Sequence, residues 1–182
     1  MKIEEIYELP SPTQEMIDYY HKRTGDHIRK VDIYCNILAD SFDGLEELRQ
    51  RGKDHDKSKF GDVEYYPYIW LTDFYRNKNA GMNKELPDEV QKLTDIAIKH
   101  HYKSNRHHPE FHNDINEMSI VDLAEMVADW SSVAEEHCEE SPRLWADKNI
   151  GSKWLFNENQ IDIIYSFIDA IDEYFPVEDE NI

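Results

Sequence analysis

The chain has 182 residues, and Asp and Glu outnumber Lys and Arg by 39 to 20, giving a formal charge of −19. That length suits one domain able to bury a core without disulfides or a structural metal, and that charge excludes a long nucleic acid as partner, since neutralising a run of phosphates takes a basic surface. The acidic start "MKIEEIYELP" does not read as a signal peptide, and nothing approaches the roughly 18 consecutive apolar residues of a membrane span, so a cytoplasmic protein is expected.

Residues 1–12 read as a lead-in, 13–176 as one helical domain and 177–182 as an acidic tail. Ser11-Pro12-Thr13-Gln14 predicts a helix start, with Ser11 as N-cap and Pro12 at the first helical position. The helix should run to about Ser41 with Gly25 a weak point inside it, burying Ile28, Val31, Tyr34, Ile37 and Leu38. "FDGLEELRQRG" predicts a short second helix ended by Gly52. "YYPYIWLTDFYRN" reads as helical, its aromatic residues Tyr65, Tyr66, Tyr68, Trp70, Phe74 and Tyr75 as core, and "NKNAGMNKELP" as loop.

Pro87 then opens a helix with Val90, Leu93, Ile96 and Ala97 on one side, running into His100 and His101; Pro109 keeps it from continuing through "NRHHPEFHND". Ser119 caps the next helix, with Ile120, Leu123, Val127, Trp130 and Ala134 as its apolar arc. A last helix from about Asn157 to Tyr174 carries Ile161, Ile164, Phe167, Ile168 and Ile171. Cys35 and Cys138, outside any CxxC pair, read as reduced thiols. With no alternating strand-like run, the expected fold class is all-α, a single-domain helical bundle.

Candidate metal ligands fall at His27, at His55-Asp56, at His100 and His101, at His107 and His108, and at Asp129 in "EMVADW". Asp129 lies on the border of the apolar arc of its helix, where a carboxylate is costly unless a cation pairs with it. Imidazole suits late first-row metals and carboxylate oxygen suits harder ions, so a His-Asp pair grips either kind from one piece of backbone. His100 and His101 cannot point the same way from a helix, so one member serves as ligand and the other as a neighbouring or substrate group; the same choice applies to His107 and His108. Glu110 reads either as an acceptor for a ligand histidine or as a cap of the turn, while His21, His112 and His137 read as ordinary surface or packing histidines.

The order His, His-Asp, His-His, Asp resembles the HD superfamily of metal-dependent phosphohydrolases, and "HDKSK" resembles its HD-x-[Gly/Ser]-Lys motif. A closer resemblance, over about residues 20–170, is to an uncharacterised phage and bacterial domain family with HHxxxNxHHPE and EMxxDW cores. The superfamily resemblance implies an HD-type bundle in which His27, His55, Asp56 and Asp129 hold one divalent ion, and Asp56 bridges to a second held by His101 and by His107 or His108. It further implies Lys59 neutralising substrate phosphate, a spare histidine of His100 and His108 protonating the leaving oxygen, and a metal-activated water attacking phosphorus. The expected partner is a nucleotide or another small phosphorylated molecule. A dinuclear-iron oxygenase and a non-catalytic nucleotide-binding or partner-binding phage factor are the alternatives, and the metal and the oligomeric state stay open.

Overall fold

Threonine 13, not Ser11, starts the first helix. Its hydroxyl accepts from the Met16 backbone N–H at 3.3 Å, so α1 spans Gln14–Ser41 and Pro12 lies ahead of it. The computed structural model describes residues 9–137 and 141–174; most of the expected lead-in, Cys138 and the acidic tail lie outside the described residues. The helix runs through Gly25, where an added Cβ would meet nothing within 4 Å.

Further helices follow: α2 (Leu48–Asp54), α3 (Tyr65–Asn79), α4 (Asp88–Ser104), α5 (Ile120–Glu136), α6 (Arg143–Asn149) and α7 (Glu158–Asp172). Short 3-10 turns occupy Lys57–Phe60, Pro109–Phe111 and Ile115–Glu117. Among the described residues there is no strand, only an isolated bridge between Ile150 and Trp154, so the fold class is all-α as expected. No described helix is long and apolar enough to cross a membrane. Two capping boxes fix helix starts. Ser119 and Asp122 close one on α5, and Asn157 and Gln160 close the other on α7.

The described residues divide into two compact units, one made of those up to Asp26 with Asp56–Ser104, the other of His27–His55 with those from Asn105 on. In the first unit α3 packs on α4, and Met16, Tyr20 and Ile69 form a small apolar cluster. In the second, α5 packs on α7 and α2 on α5. Its larger core includes Val31, Leu38, Leu48, Leu123, Val127, Phe167 and Ile168. Burial of this kind contributes most of the folding free energy, since isolated helices of these lengths are marginal in water.

Several expectations are corrected by the packing. Of the α3 aromatics, Tyr65, Tyr68 and Trp70 do pack half-buried against the small cluster, but Tyr75 is exposed and the fully buried residues of the helix are Pro67, Ile69, Thr72 and Asp73. On α4 the inward stripe is Val90, Thr94, Ala97 and His101, so Ile96 is exposed. Ile120 is exposed too, at the open first turn of α5. The segment "RLWADKN" forms α6, which no apolar periodicity announces.

Gly52 does not end α2 but lies inside it. A Cβ added there would sit 2.9 Å from Asp32 Cα and 3.0 Å from Cys35 Cβ, so the glycine lets α2 approach α1 backbone to backbone. Neither obstacle is the far end of a flexible side chain. Gly52→Ala is therefore expected to destabilise the protein by about 1–3 kcal/mol despite the better helix propensity of alanine. A urea midpoint unchanged or raised by the substitution would show that the two helices separate at no cost.

Candidate metal centre

In the second unit three helices and one turn bring their chemistry together. His27 comes from α1, His55 from the residue that ends α2, His107 from the turn after α4, and Glu125 and Asp129 from successive turns of α5. Side chains four apart on a helix lie on one face, which is why Glu125 and Asp129 point to the same place. One ligand atom each of His55, His107 and Glu125 lies within 4.8 Å of the others. Ring centroids are 5.4 Å apart for His27 and His55, and 4.4 Å apart for His55 and His107.

The two carboxylates meet the imidazoles differently. Glu125 Oε1 is 2.9 Å from His55 Nδ1 and 3.3 Å from His107 Nδ1, while its Oε2 accepts from Arg51 Nε at 2.7 Å. Asp129 Oδ1 faces the opposite ring nitrogens, at 3.2 Å from His27 Nε2 and 3.7 Å from His55 Nε2. His27 Nδ1 meets Ser132 Oγ at 3.0 Å, and that hydroxyl also donates to the His27 carbonyl at 3.4 Å, which leaves it to accept from the ring.

Burial by itself pushes both acids up. The neighbouring His107 and His55 outweigh it for Glu125, and His27 and His55 for Asp129, so each carboxyl is held well below its ordinary range. Arg51 extends the system to Asp122, which it meets at 3.0 Å, and Arg106 reaches the same carboxylate from the histidine turn at 3.0 and 2.9 Å.

The first unit holds a second cluster. Asp56 directly follows His55 in the chain and is the one described non-glycine residue with positive φ, at 55°. Aspartate tolerates this left-handed region better than most residues, and such positions cluster at functional sites. Its Oδ2 lies 2.5 Å from Lys59 Nζ, and its Oδ1 lies 3.3 Å from His101 Nε2. The other nitrogen of His101, Nδ1, is 2.9 Å from Glu64 Oε2. Glu64 Oε1 is 2.6 Å from His100 Nδ1, and Ser58 Oγ donates to Oε2 at 3.0 Å. Glu64 is fully buried; burial pushes it up, but the hydrogen bonds from His101, His100 and Ser58 prevail and its carboxyl is lowered.

His27, His55, His107 and Asp129 thus lie together in one unit, with the ring of His108 4.2 Å from that of His107. Asp56, Lys59, His100 and His101 lie together in the other. Of the histidine pair on α4, His101 is buried and His100 is partly exposed. Glu110 is not the acceptor for a ligand histidine; it pairs with Lys153 at 3.4 Å. That part is taken by Glu125 and Glu64, which the sequence alone did not single out. Asp122 and Glu125 are both buried, at 0% and 4% exposure. The signal that could have found them is the spacing of Asp122, Glu125, Asp129 and Ser132, a polar stripe in helical register along α5.

Asp122 also sets a pH dependence. Burial raises it, but hydrogen bonds from Arg106, Ser119 and Arg51 prevail and hold it below its ordinary 3.8. The folded state therefore binds this proton less readily than the unfolded chain. The resulting stability is present above pH 3.8 and is lost as pH falls through the lowered value. Asp122→Asn is expected to flatten the acid limb of a stability-against-pH curve while lowering the plateau at neutral pH. An acid limb of undiminished slope in the variant would assign it to other groups.

The donor set fits a divalent ion: neutral imidazoles and carboxylates, buried and drawn from separate elements, are what such ions take. No curated protein and no solved structure matches the chain. The match to a family model runs from the first helix to the last, over residues 16–170, and on that extent the chain belongs to the family of unknown function DUF5662.

Proposed function

We propose that the protein is a metal-dependent hydrolase of phosphate esters, built as a helical bundle of HD type and acting on a nucleotide or similar small phosphorylated molecule. The observation that carries the reading is the convergence of His27 Nε2 and His55 Nε2 on one oxygen of Asp129. A carboxylate oxygen and two imidazole nitrogens held this close in a buried place have to share a proton or a cation, and a divalent ion can take a lone pair from all three.

His27, His55 and Asp129 would hold the ion in the second unit, with His107 beside them. Asp56 and His101 offer donors in the first. A bound divalent ion supplies Lewis acidity toward a phosphoryl oxygen and acidifies water. The chain's own residues supply the rest. Lys59, held at Asp56, places a positive charge where substrate phosphate needs one, in a molecule that is otherwise strongly acidic. His100, partly exposed and held at Nδ1 by Glu64, is placed to give a proton to a leaving oxygen. His108, next to His107, is the alternative donor.

The test is metal content by mass spectrometry on protein purified without chelators, alongside Asp56→Ala, followed by hydrolysis of a panel of nucleoside monophosphates and cyclic nucleotides. Bound divalent metal reduced in the variant, with phosphate release by wild-type protein loaded with manganese, is the expected result. Protein that binds manganese, iron or zinc yet releases no phosphate from any of these would overturn the hydrolase. Iron with a visible absorption band and no phosphate release would point to oxygen chemistry instead.

A further inference from the structure

Each unit contains one buried glutamate in the same relation to two histidines. In the second unit Glu125 meets Nδ1 of His55 and Nδ1 of His107. In the first unit Glu64 meets Nδ1 of His100 and Nδ1 of His101. The aspartates behave in the opposite way: Asp129 faces Nε2 of His27 and His55, and Asp56 faces Nε2 of His101. A glutamate on Nδ1 and an aspartate on Nε2 of the same ring is a repeated arrangement, in sequence contexts that share nothing.

The glutamates are also occupied in a way that ligands are not. Both oxygens of Glu125 receive donors, Oε1 from histidine and Oε2 from Arg51. Both oxygens of Glu64 do as well, Oε1 from His100 and Oε2 from His101 and Ser58. A cation could bind either carboxylate only in competition with these donors. A carboxylate so placed does something else. It fixes the proton on Nδ1, which puts the ring lone pair on Nε2, and it locks the ring plane.

We propose that Glu125 and Glu64 are the positioning residues of the two clusters. They set the Nδ1–H tautomer of His55, His107 and His101 and so aim Nε2 at the ion. This rests on the metal reading above for the identity of what Nε2 meets, but not for the tautomer itself. Ser132 plays the same part for His27 through a hydroxyl rather than a carboxylate. Arg51 acts one step further out by holding Glu125.

The test has two readouts, one independent of any metal. Two-bond proton–nitrogen correlation spectra of imidazole-labelled, metal-free protein at pH 8 distinguish Nδ1–H from Nε2–H rings. Wild-type His55, His107 and His101 are expected as Nδ1–H, whereas free histidine in water favours the other tautomer. The second readout is zinc affinity by competition with a chromophoric chelator in wild type, Glu125→Gln and Glu64→Gln, with folding checked by circular dichroism. Each variant is expected to lose about 10–100-fold in affinity with the number of bound ions unchanged. Fewer ions at saturation would make the glutamates ligands, and unchanged affinity would make them bystanders; either overturns the proposal. Nε2–H rings in wild type would overturn it too, and that spectrum needs no variant to fold. Wild-type protein that shows Nδ1–H rings but takes up no zinc would end the metal reading while leaving the positioning role standing.

Discussion

Replacing Arg51 with methionine is expected to cost about 3–5 kcal/mol of stability, the range for breaking a buried ion pair by removal of one partner. The Arg51 side chain is 19% exposed and its guanidinium bridges two acids, Glu125 at 5% and Asp122 at 0% side-chain exposure. Methionine keeps most of the apolar stem that Arg51 packs with, so the loss reports the charge rather than a cavity. Two carboxylates on successive turns of α5 would then face each other in the core with less positive charge to hold them. Part of the penalty is relieved by Glu125 taking up a proton, which makes the variant's stability fall as pH rises toward neutral relative to wild type. For a chain of this size the melting temperature should drop by roughly 6–20 °C. Arg51→Lys is expected to recover only part of the loss, because an ammonium cannot reproduce the fork that meets Glu125 through Nε and Asp122 through a terminal nitrogen. Urea denaturation of both variants at pH 7 decides the matter. A loss below about 1 kcal/mol for methionine would mean that the pairs are no stronger than surface ones.

The parts of this molecule that were legible in its sequence are those where residue type and period agree. The helices α1, α5 and α7 carry long apolar stripes at helical spacing, α5 begins at the expected cap Ser119, and the histidines and Asp129 are rare enough types at telling places to be picked out. The misreadings have a common cause. On α4 the expected face was Val90, Leu93, Ile96 and Ala97, but only Val90 and Ala97 are inside, joined there by Thr94 and His101. Thr94 can be buried there because its hydroxyl donates to the Val90 carbonyl at 2.9 Å, so it brings no unpaired group with it. Gly52 looked like a terminator because glycine usually is one, whereas its reason is a close approach to a helix distant in sequence. Glu64, Glu125 and Arg51 were invisible for a different reason. In a chain with 39 acids any single glutamate reads as solvated surface, and only tertiary packing tells which few are turned inward. Polar groups in a core are specified by their partners, and partners are not adjacent in sequence.

Asp129→Asn separates what the second cluster does with an ion from what it does without one. In wild type, a divalent ion at about 100 times its dissociation constant should raise stability by about 2.7 kcal/mol, because only the folded chain gathers His27, His55 and Asp129. At this chain length that is a melting temperature higher by roughly 5–10 °C. The asparagine variant keeps the shape and one carbonyl oxygen but removes the negative charge that faces both Nε2 atoms. Without metal the variant should melt close to wild type, since the histidines remain held at Nδ1 by Ser132 and Glu125. With metal it should gain almost nothing, a difference of 100-fold or more in affinity. Thermal melts of both proteins, with chelator and then with excess zinc or manganese, give four temperatures. An equal rise in both proteins would place the ion away from Asp129. A variant much less stable than wild type in chelator would instead make Asp129 chiefly a structural counter-charge for His27 and His55. The expected pattern, in which only the metal-loaded temperatures differ, would mean that the fold tolerates the loss of this acid and the ion does not.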